Sequence, residues 1–182
     1  IVNAKVDIQK RNLTAYNHSA THLLFKVLRD QLGSHVSQQG SQVSSEMLRF
    51  DFNHYETVTE NQILEIEAKV NEMLQYDYET HTELLTVDEA VKKGAIAEFG
   101  EKYGDTVRVI DLKYTLDLCG GTHVKNIKDI QRFAIKNFYS IGSGIYRIEA
   151  LTNVGVDSII EGLVGINQEI ENLIHKAHSI VN

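Results

Sequence analysis

Residues 14–32 of the 182-residue chain read TAYNHSATHLLFKVLRDQL, and the fold is best approached from this stretch. Apolar side chains recur every three or four positions from Tyr16 to Leu28, which is the spacing of an amphipathic helix. The polar Thr14 precedes the pattern and Gly33 follows it, as the start and stop of a helix require. The sequence therefore predicts one long helix over about 14–32, with a single apolar face to bury.

The remaining segments alternate between strand and helix patterns. Strands are predicted on both sides of Gly40 and near 47–52, 78–85, 106–112, 133–135 and 145–149. Capping boxes at Thr59 and Thr86, each with Gln or Glu three residues later, predict helices over about 59–75 and 87–93. Helical spacing of apolar residues predicts a terminal helix near 155–180. The predicted class is α+β, a mostly antiparallel sheet packed with helices and followed by a long C-terminal helix.

No linker interrupts this pattern, because the chain has no proline and no run rich in serine or glycine. We expect one compact domain over 1–153 and a C-terminal helix over 154–182 that leads toward a missing region. The chain starts at Ile1 without an initiator methionine or signal peptide, so we also expect it to be part of a longer protein.

Composition narrows the classes of protein that need consideration. Hydrophobic residues make up 42% and charged residues 24%, and no apolar run is long enough to cross a bilayer. A single cysteine, Cys119, rules out an internal disulfide and fits a reducing compartment. These features predict a cytoplasmic protein without a membrane partner.

Charge is distributed unevenly along the chain. The net charge is −7, and residues 54–105 carry thirteen acidic residues against four lysines. This negative charge argues against a protein whose entire surface binds nucleic acid. However, four basic residues gather against the single acid Asp129. They are Lys125, Lys128, Arg132 and Lys136. Two interpretations stay open for this group, a local anion-binding patch and a solvated strand face.

Two short motifs carry candidate metal ligands. His18 and His22 lie four residues apart in the predicted helix, so both imidazoles project from one face. Leu118 to His123 read LCGGTH, and the double glycine is expected to curl the backbone so that Cys119 and His123 approach one centre. Three imidazoles and a thiolate favour Zn²⁺ over Mg²⁺ or Ca²⁺.

Other interpretations of the same residues remain. The two histidines of the helix alone are also compatible with an ordinary, partly buried pair, and Cys119 with His123 could act as a nucleophile and base. The sequences HExxH, CxxC, GxxxxGK[ST] and GxSxG are all absent, which argues against metalloprotease, zinc-ribbon, nucleotide-deaminase, nucleotide-hydrolase and serine-hydrolase chemistry.

Six segments, in this order and spacing, carry a family resemblance. They are Arg11-Asn12, NHSATHLL at 17–24, HVSQQGS at 35–41, LRFDF at 48–52, GEKYG at 100–104 and CGGTHV at 119–124. Over about residues 11–152 the chain closely resembles the editing domain of alanyl-tRNA synthetase. Free-standing AlaX-type editing proteins share these motifs, and the editing domain of threonyl-tRNA synthetase shares the histidine and cysteine frame.

The resemblance implies a function and a site. It implies hydrolysis of the ester of tRNA(Ala) that carries serine or glycine, with the acceptor end of the tRNA and the rest of a synthetase chain as partners. The implied zinc ligands are His18, His22, Cys119 and His123. Thr21 and Gln38 would line the pocket and hydrogen-bond the amino acid. For Thr21 the alternative is a hydroxyl bonded to its own helix, and for Gln38 a position on a strand surface.

Contacts to the tRNA are also implied. Phosphate contacts are expected from Lys125, Lys128, Arg132 and Lys136, and from Arg147 in a segment where Tyr146 replaces an arginine common in the family. Three alternatives remain open at this stage. They are a free-standing AlaX-type enzyme, a threonyl-type editing hydrolase, and a zinc-stabilised module that binds tRNA without catalysis.

Overall fold

A computed structural model describes residues 2–96 and 104–181, with side chains up to residue 174. Its helices are α1 (Ile8–Leu32), α2 (Glu60–Met73), α3 (Val87–Lys92) and α4 (Asp157–Val181). Its strands are β1 (Gln38–Val43), β2 (Leu48–Asn53), β3 (His81–Leu85), β4 (Val107–Asp111), β5 (Leu116–Leu118), β6 (Phe133–Gly142) and β7 (Ile145–Thr152). Short 3-10 helices cover Ile127–Ile130 and Asn153–Val156. The predicted α+β class and long C-terminal helix are confirmed.

Two antiparallel sheets form the β part of the molecule. The larger has the strand order β1-β2-β7-β6, and the smaller has the order β3-β4-β5. In the larger sheet β2 is central, and its residues Leu48, Phe50 and Phe52 are fully buried. These side chains lie on the same face because successive residues of a strand point to opposite sides. The polar face of β2 carries Arg49 and Asp51.

Helix α1 is the main element packed against the larger sheet. Leu23, Leu24 and Leu28 are fully buried on α1 and belong to one core with the apolar face of β2. Helix α2 contributes Ile66 and Val70 to the same core. This packing places the middle of α1, which carries the two histidines, against the sheet.

The predicted start of α1 is wrong by six residues. The helix begins at Ile8, and the side chain of Asp7 accepts a hydrogen bond of 3.0 Å from the Lys10 amide at its N-terminus. The first turns carry no apolar periodicity because they are exposed; Ile8, for example, is 63% exposed. Since the prediction relied on burial, it detected only the buried part of the helix.

The capping signals were read correctly, but the prediction of separate strands on the two sides of Gly40 was wrong, because Gly40 lies within β1 at a shift in its pairing with β2. Thr59 with Gln62, and Thr86 with Glu89, form complete capping boxes at the starts of α2 and α3. Strands β6 and β7 are longer than predicted and are joined by a tight turn at Ser143, flanked by glycines with positive φ.

Helix α4 extends from the sheet and exposes apolar side chains along its length. They are Ile160, Leu163, Val164, Ile166, Ile170, Leu173 and Ile174. Within the described residues, no helix combines the length and apolarity needed to span a membrane.

Candidate metal centre and active-site cavity

The structure brings the four predicted metal ligands to one point. One ligand atom from each of His18, His22, Cys119 and His123 lies within 4.8 Å of the other three. The rings of His18 and His123 are stacked with centroids 4.2 Å apart, and His18 Nε2 lies 3.5 Å from Cys119 Sγ. Two distant segments of sequence thus form one compact cluster of three imidazoles and one thiol.

Gly121 allows the loop after β5 to approach α1 this closely. A Cβ atom on Gly121 would clash with the ring of His18. The expected reason for the double glycine is therefore corrected: neither Gly120 nor Gly121 has a positive φ, and a Cβ atom on Gly120 would meet nothing within 4 Å. Absence of a side chain, rather than unusual backbone geometry, matters at Gly121.

Each histidine is oriented through its Nδ1 atom. His18 Nδ1 donates to the Thr122 carbonyl at 3.0 Å, and His22 Nδ1 lies 3.4 Å from Asp117 Oδ2. His123 Nδ1 lies 3.1 Å from Ser19 Oγ, and this oxygen accepts a hydrogen bond from the backbone amide of Val124. Outer partners of this kind fix the orientation of metal-binding imidazoles and leave Nε2 for the ion.

One polar atom of the cluster has no partner in the described structure. His123 Nε2 is buried and makes no hydrogen bond. A buried nitrogen of this kind costs free energy unless something binds it. A metal ion shared with Nε2 of His18 and His22 and with Sγ of Cys119 would satisfy it. The residues present therefore fit a metal ion, and a soft thiolate with imidazoles suits Zn²⁺.

The electrostatics favour the thiolate form of the cysteine. Burial alone would raise the pKa of the Cys119 thiol, but the neighbouring imidazoles of His123, His18 and His22 lower it to about 3. At His22 burial alone would lower the pKa of the imidazole, but Asp117 and the thiolate of Cys119 raise it to about 10. Burial dominates at His123 and lowers its pKa to about 4, so this imidazole is neutral. The thiolate is the form that binds metal.

A cavity of about 230 Å³ opens directly beside the cluster. Thr21 and Gln38 line it, together with His18, His22 and Cys119. The Thr21 hydroxyl donates to the Asn17 carbonyl at 2.8 Å, so only its oxygen lone pairs are left for a ligand. Pockets for drug-sized ligands measure about 300–1,000 Å³, so this cavity suits a smaller group.

Three residues of the site escaped the sequence interpretation. Asp117 lines the cavity and is 4% exposed, Ser19 contacts His123, and Arg108 donates to the carbonyls of Cys119 and Gly121. Ser19 directly follows the predicted ligand His18, and Asp117 lies two residues before the predicted ligand Cys119. That adjacency was the available signal, although it does not reveal a contact across the fold.

Two of the predicted RNA contacts have carboxylate partners within the protein. Arg132 forms an ion pair of 2.8 Å with Asp157 at the start of α4. Arg147 on β7 makes two hydrogen bonds, of 2.7 and 2.8 Å, to the carboxylate of Asp51, which raise the pKa of its guanidinium. Both side chains thus join neighbouring elements of the fold.

The three predicted lysines lie in different places. Lys125 follows the metal loop, and its carbonyl accepts a hydrogen bond of 2.8 Å from the Thr80 amide. Lys128 is exposed on the 3-10 helix Ile127–Ile130, and Lys136 is exposed on β6. Lys125 lines a cavity beside the metal loop.

Comparison with known proteins identifies the relationship of the chain. Residues 107–149 match the protein family described as threonyl and alanyl tRNA synthetase second additional domain. The chain is 47% identical over 174 residues, 95% of its length, to the alanine–tRNA ligase of Thermoanaerobacter pseudethanolicus. It is 52% identical over 152 residues, 83% of its length, to the alanine–tRNA ligase of Nitrosomonas europaea.

The chain is homologous to one region of alanyl-tRNA synthetases. This confirms the family resemblance that the motifs indicated. The chain spans about a fifth of the length of these relatives, 20% of the first and 18% of the second. The motif at residues 100–104 lies, except for Gly104, outside the described residues, whereas the histidine and cysteine motifs converge on the metal cluster.

Proposed function

We propose that the chain is a zinc-dependent aminoacyl-tRNA deacylase that hydrolyses serine or glycine from mischarged tRNA(Ala). The observation that supports this most directly is the cluster of His18, His22, Cys119 and His123 at one side of a small cavity. The cavity has room for an aminoacyl ester and belongs to a region homologous to alanyl-tRNA synthetases.

The chemistry of alanine recognition explains why such a hydrolase is needed. A synthetic site for alanine rejects glycine only by the free energy of one methyl group, and it cannot strongly exclude serine. A second site that hydrolyses the wrong ester is one of the established ways to raise accuracy beyond what binding can supply.

Thr21 and Gln38 are the proposed contacts to the amino acid. Because the Thr21 hydroxyl hydrogen is used within α1, its oxygen would accept a hydrogen bond from the amine or hydroxyl of the substrate. Gln38, at the start of β1, offers both a donor and an acceptor at the same cavity. Serine can make one more such bond than alanine.

Zinc bound by three imidazoles and a thiolate would supply a fixed positive charge that orients the polar groups of the ester. Four protein ligands fill a tetrahedral site, so we assign the metal to orientation of the substrate. Asp117 is the one carboxylate among the described cavity residues, and its Oδ2 is engaged by Thr115 and His22. We therefore assign proton transfer to the neighbouring hydroxyl of the terminal ribose.

Release of amino acid from Ser-tRNA(Ala), with Ala-tRNA(Ala) as the control substrate, tests this function. We expect fast loss of serine, retention of alanine, and a reduction of roughly a hundredfold or more in Cys119→Ala, the size expected when an electrostatic stabiliser is removed. Circular dichroism would establish that the variant is folded. Absence of hydrolysis by the wild-type chain would contradict the proposal, and a preference for Ser-tRNA(Thr) would favour the threonyl-type alternative.

A further inference from the structure

Two cavities meet on the outer side of the metal loop. One, of about 360 Å³, lies between the N-terminal part of α1, strands β3 and β4, and residues 120–125. The other, of about 270 Å³, lies against residues 6–14 of the chain. Arg11 and Thr122 line both, so the two cavities adjoin, and together they are called here the basic groove.

The groove is positively charged in a chain that is acidic as a whole. Lys10, Arg11, Arg108 and Lys125 line it, whereas Asp7 is the one carboxylate among its described lining residues. The Asp7 side chain caps α1. None of the four cations forms an ion pair within residues 2–96 and 104–181, in contrast to Arg132 and Arg147. The net charge of the chain is −7, so this concentration of free positive charge is local.

The groove adjoins the cavity beside the metal cluster. Gly120 lines the active-site cavity on one side and the groove on the other, and Gly121, Thr122 and His123 continue along the groove. The loop that carries Cys119 and His123 is therefore the wall between them. A polyanion whose end enters the active-site cavity can continue over this loop into the groove.

We propose that the basic groove binds the phosphates of the single-stranded 3′ end of the RNA whose terminal ester enters the active-site cavity. This inference rests on the proposed function, and it assigns the RNA path to Lys10, Arg11 and Lys125. Phosphate contacts of this kind supply most of the affinity of proteins for nucleic acid. Thr82, which is exposed and also lines the groove, adds a hydroxyl group that can donate to a phosphate oxygen.

The other face of predicted RNA contacts is less well placed. Lys136 lies on β6, three strands away from β1, which carries Gln38 at the cavity. With strands about 4.8 Å apart, this corresponds to about 14 Å across the sheet. Arg132 directly precedes β6 and is paired with Asp157. The groove adjoins the active-site cavity across the metal loop, whereas no residue of β6 lines that cavity.

The test measures binding of an uncharged acceptor-stem hairpin with a single-stranded 3′ end, using the zinc-loaded protein and fluorescence anisotropy over a range of salt. The groove variant combines Lys10→Gln, Arg11→Gln and Lys125→Gln. The control variant combines Lys69→Gln and Lys92→Gln, two exposed lysines away from the groove. A third variant combines Lys128→Gln and Lys136→Gln and tests the alternative RNA path along β6. Arg108 is left intact because it supports the metal loop.

We expect the groove variant to bind roughly tenfold or more weakly at low salt, with a salt slope lower by roughly 0.7 for each lost contact to single-stranded RNA. The control pair should bind like the wild type. The inference is overturned if the groove variant binds normally, if only the third variant loses binding, or if the wild type binds no RNA at low salt.

The same variants separate this inference from the proposed function. Groove-dependent RNA binding without hydrolysis of Ser-tRNA(Ala) would sustain the groove and refute the deacylase. Hydrolysis with an unchanged KM in the groove variant would sustain the deacylase and refute the groove.

Discussion

Gly121 is the residue where the approach of two chain segments is tightest. A Cβ atom on Gly121 would clash with Cε1 of His18, so Gly121→Ala must displace either the metal loop or the His18 ring. We expect this variant to lose zinc affinity by roughly tenfold or more, the effect of misplacing an outer partner of a metal ligand, because His18 also depends on the Thr122 carbonyl. Competition with a chromophoric zinc chelator would measure the affinity.

Gly120→Ala is the matched control, since a methyl group at that position meets nothing within 4 Å. It should bind zinc like the wild type and unfold at a similar denaturant concentration. Equal losses in both variants would show that the loop needs two glycines for backbone flexibility, contrary to the contact with His18.

Asp117 tests the role of an outer partner more directly. Its Oδ2 lies 3.4 Å from Nδ1 of His22, and the Thr115 hydroxyl donates to the same oxygen at 2.8 Å. Asp117→Asn keeps the size of the side chain but removes the negative charge that holds His22. We expect zinc affinity to fall about 10- to 100-fold, as is typical for loss of such a partner.

The comparison variant is Asp105→Asn, which removes the same charge at an exposed position. It should leave zinc affinity unchanged. Absorption spectroscopy of the cobalt-substituted variant would show whether its ligand set is intact. If Asp117→Asn kept that ligand set and bound zinc as tightly as the wild type, the carboxylate would not orient His22.

At the scale of the elements, helix α1 shows what the sequence could and could not predict. Its buried portion was recognisable because burial imposes a period on the apolar residues, but its exposed first turns, which begin after the Asp7 cap, leave no such pattern. The capping boxes of α2 and α3 were predicted correctly, since each is a signal contained within four residues.

The site shows the same division between local and distant information. His18 and His22 share a helix face, and Cys119 and His123 share a loop, so each pair follows from local spacing. Contacts such as Ser19 with His123 join residues 104 positions apart, and no single sequence reports them. Charge alone likewise could not distinguish Lys125, beside the groove, from Arg132, which is tied to α4.

At the scale of the whole molecule, the metal cluster joins the two halves of the fold. His18 and His22 belong to α1, which packs on the larger sheet, whereas Cys119 follows β5 of the smaller sheet. Cys119 and His18 are 101 positions apart in the sequence. A zinc ion bound by both segments would therefore restrain the relative placement of α1 and the smaller sheet in the folded state.

Removal of zinc should consequently destabilise the entire domain. A ligand that binds only the folded state stabilises it by about 2.7 kcal/mol when its free concentration is a hundred times Kd. For a chain of 182 residues this corresponds to roughly 5–10 °C in Tm. We expect the Tm measured by circular dichroism to fall by this amount after dialysis against a chelator, and to recover when zinc is added back.

His22→Ala, which removes one ligand, should begin with the lower Tm and respond little to either treatment. If the chelator shifted the Tm of both proteins equally, the metal would act elsewhere on the chain. If it shifted neither Tm, the cluster would be stable without an ion, because the buried Nε2 of His123 would have another partner.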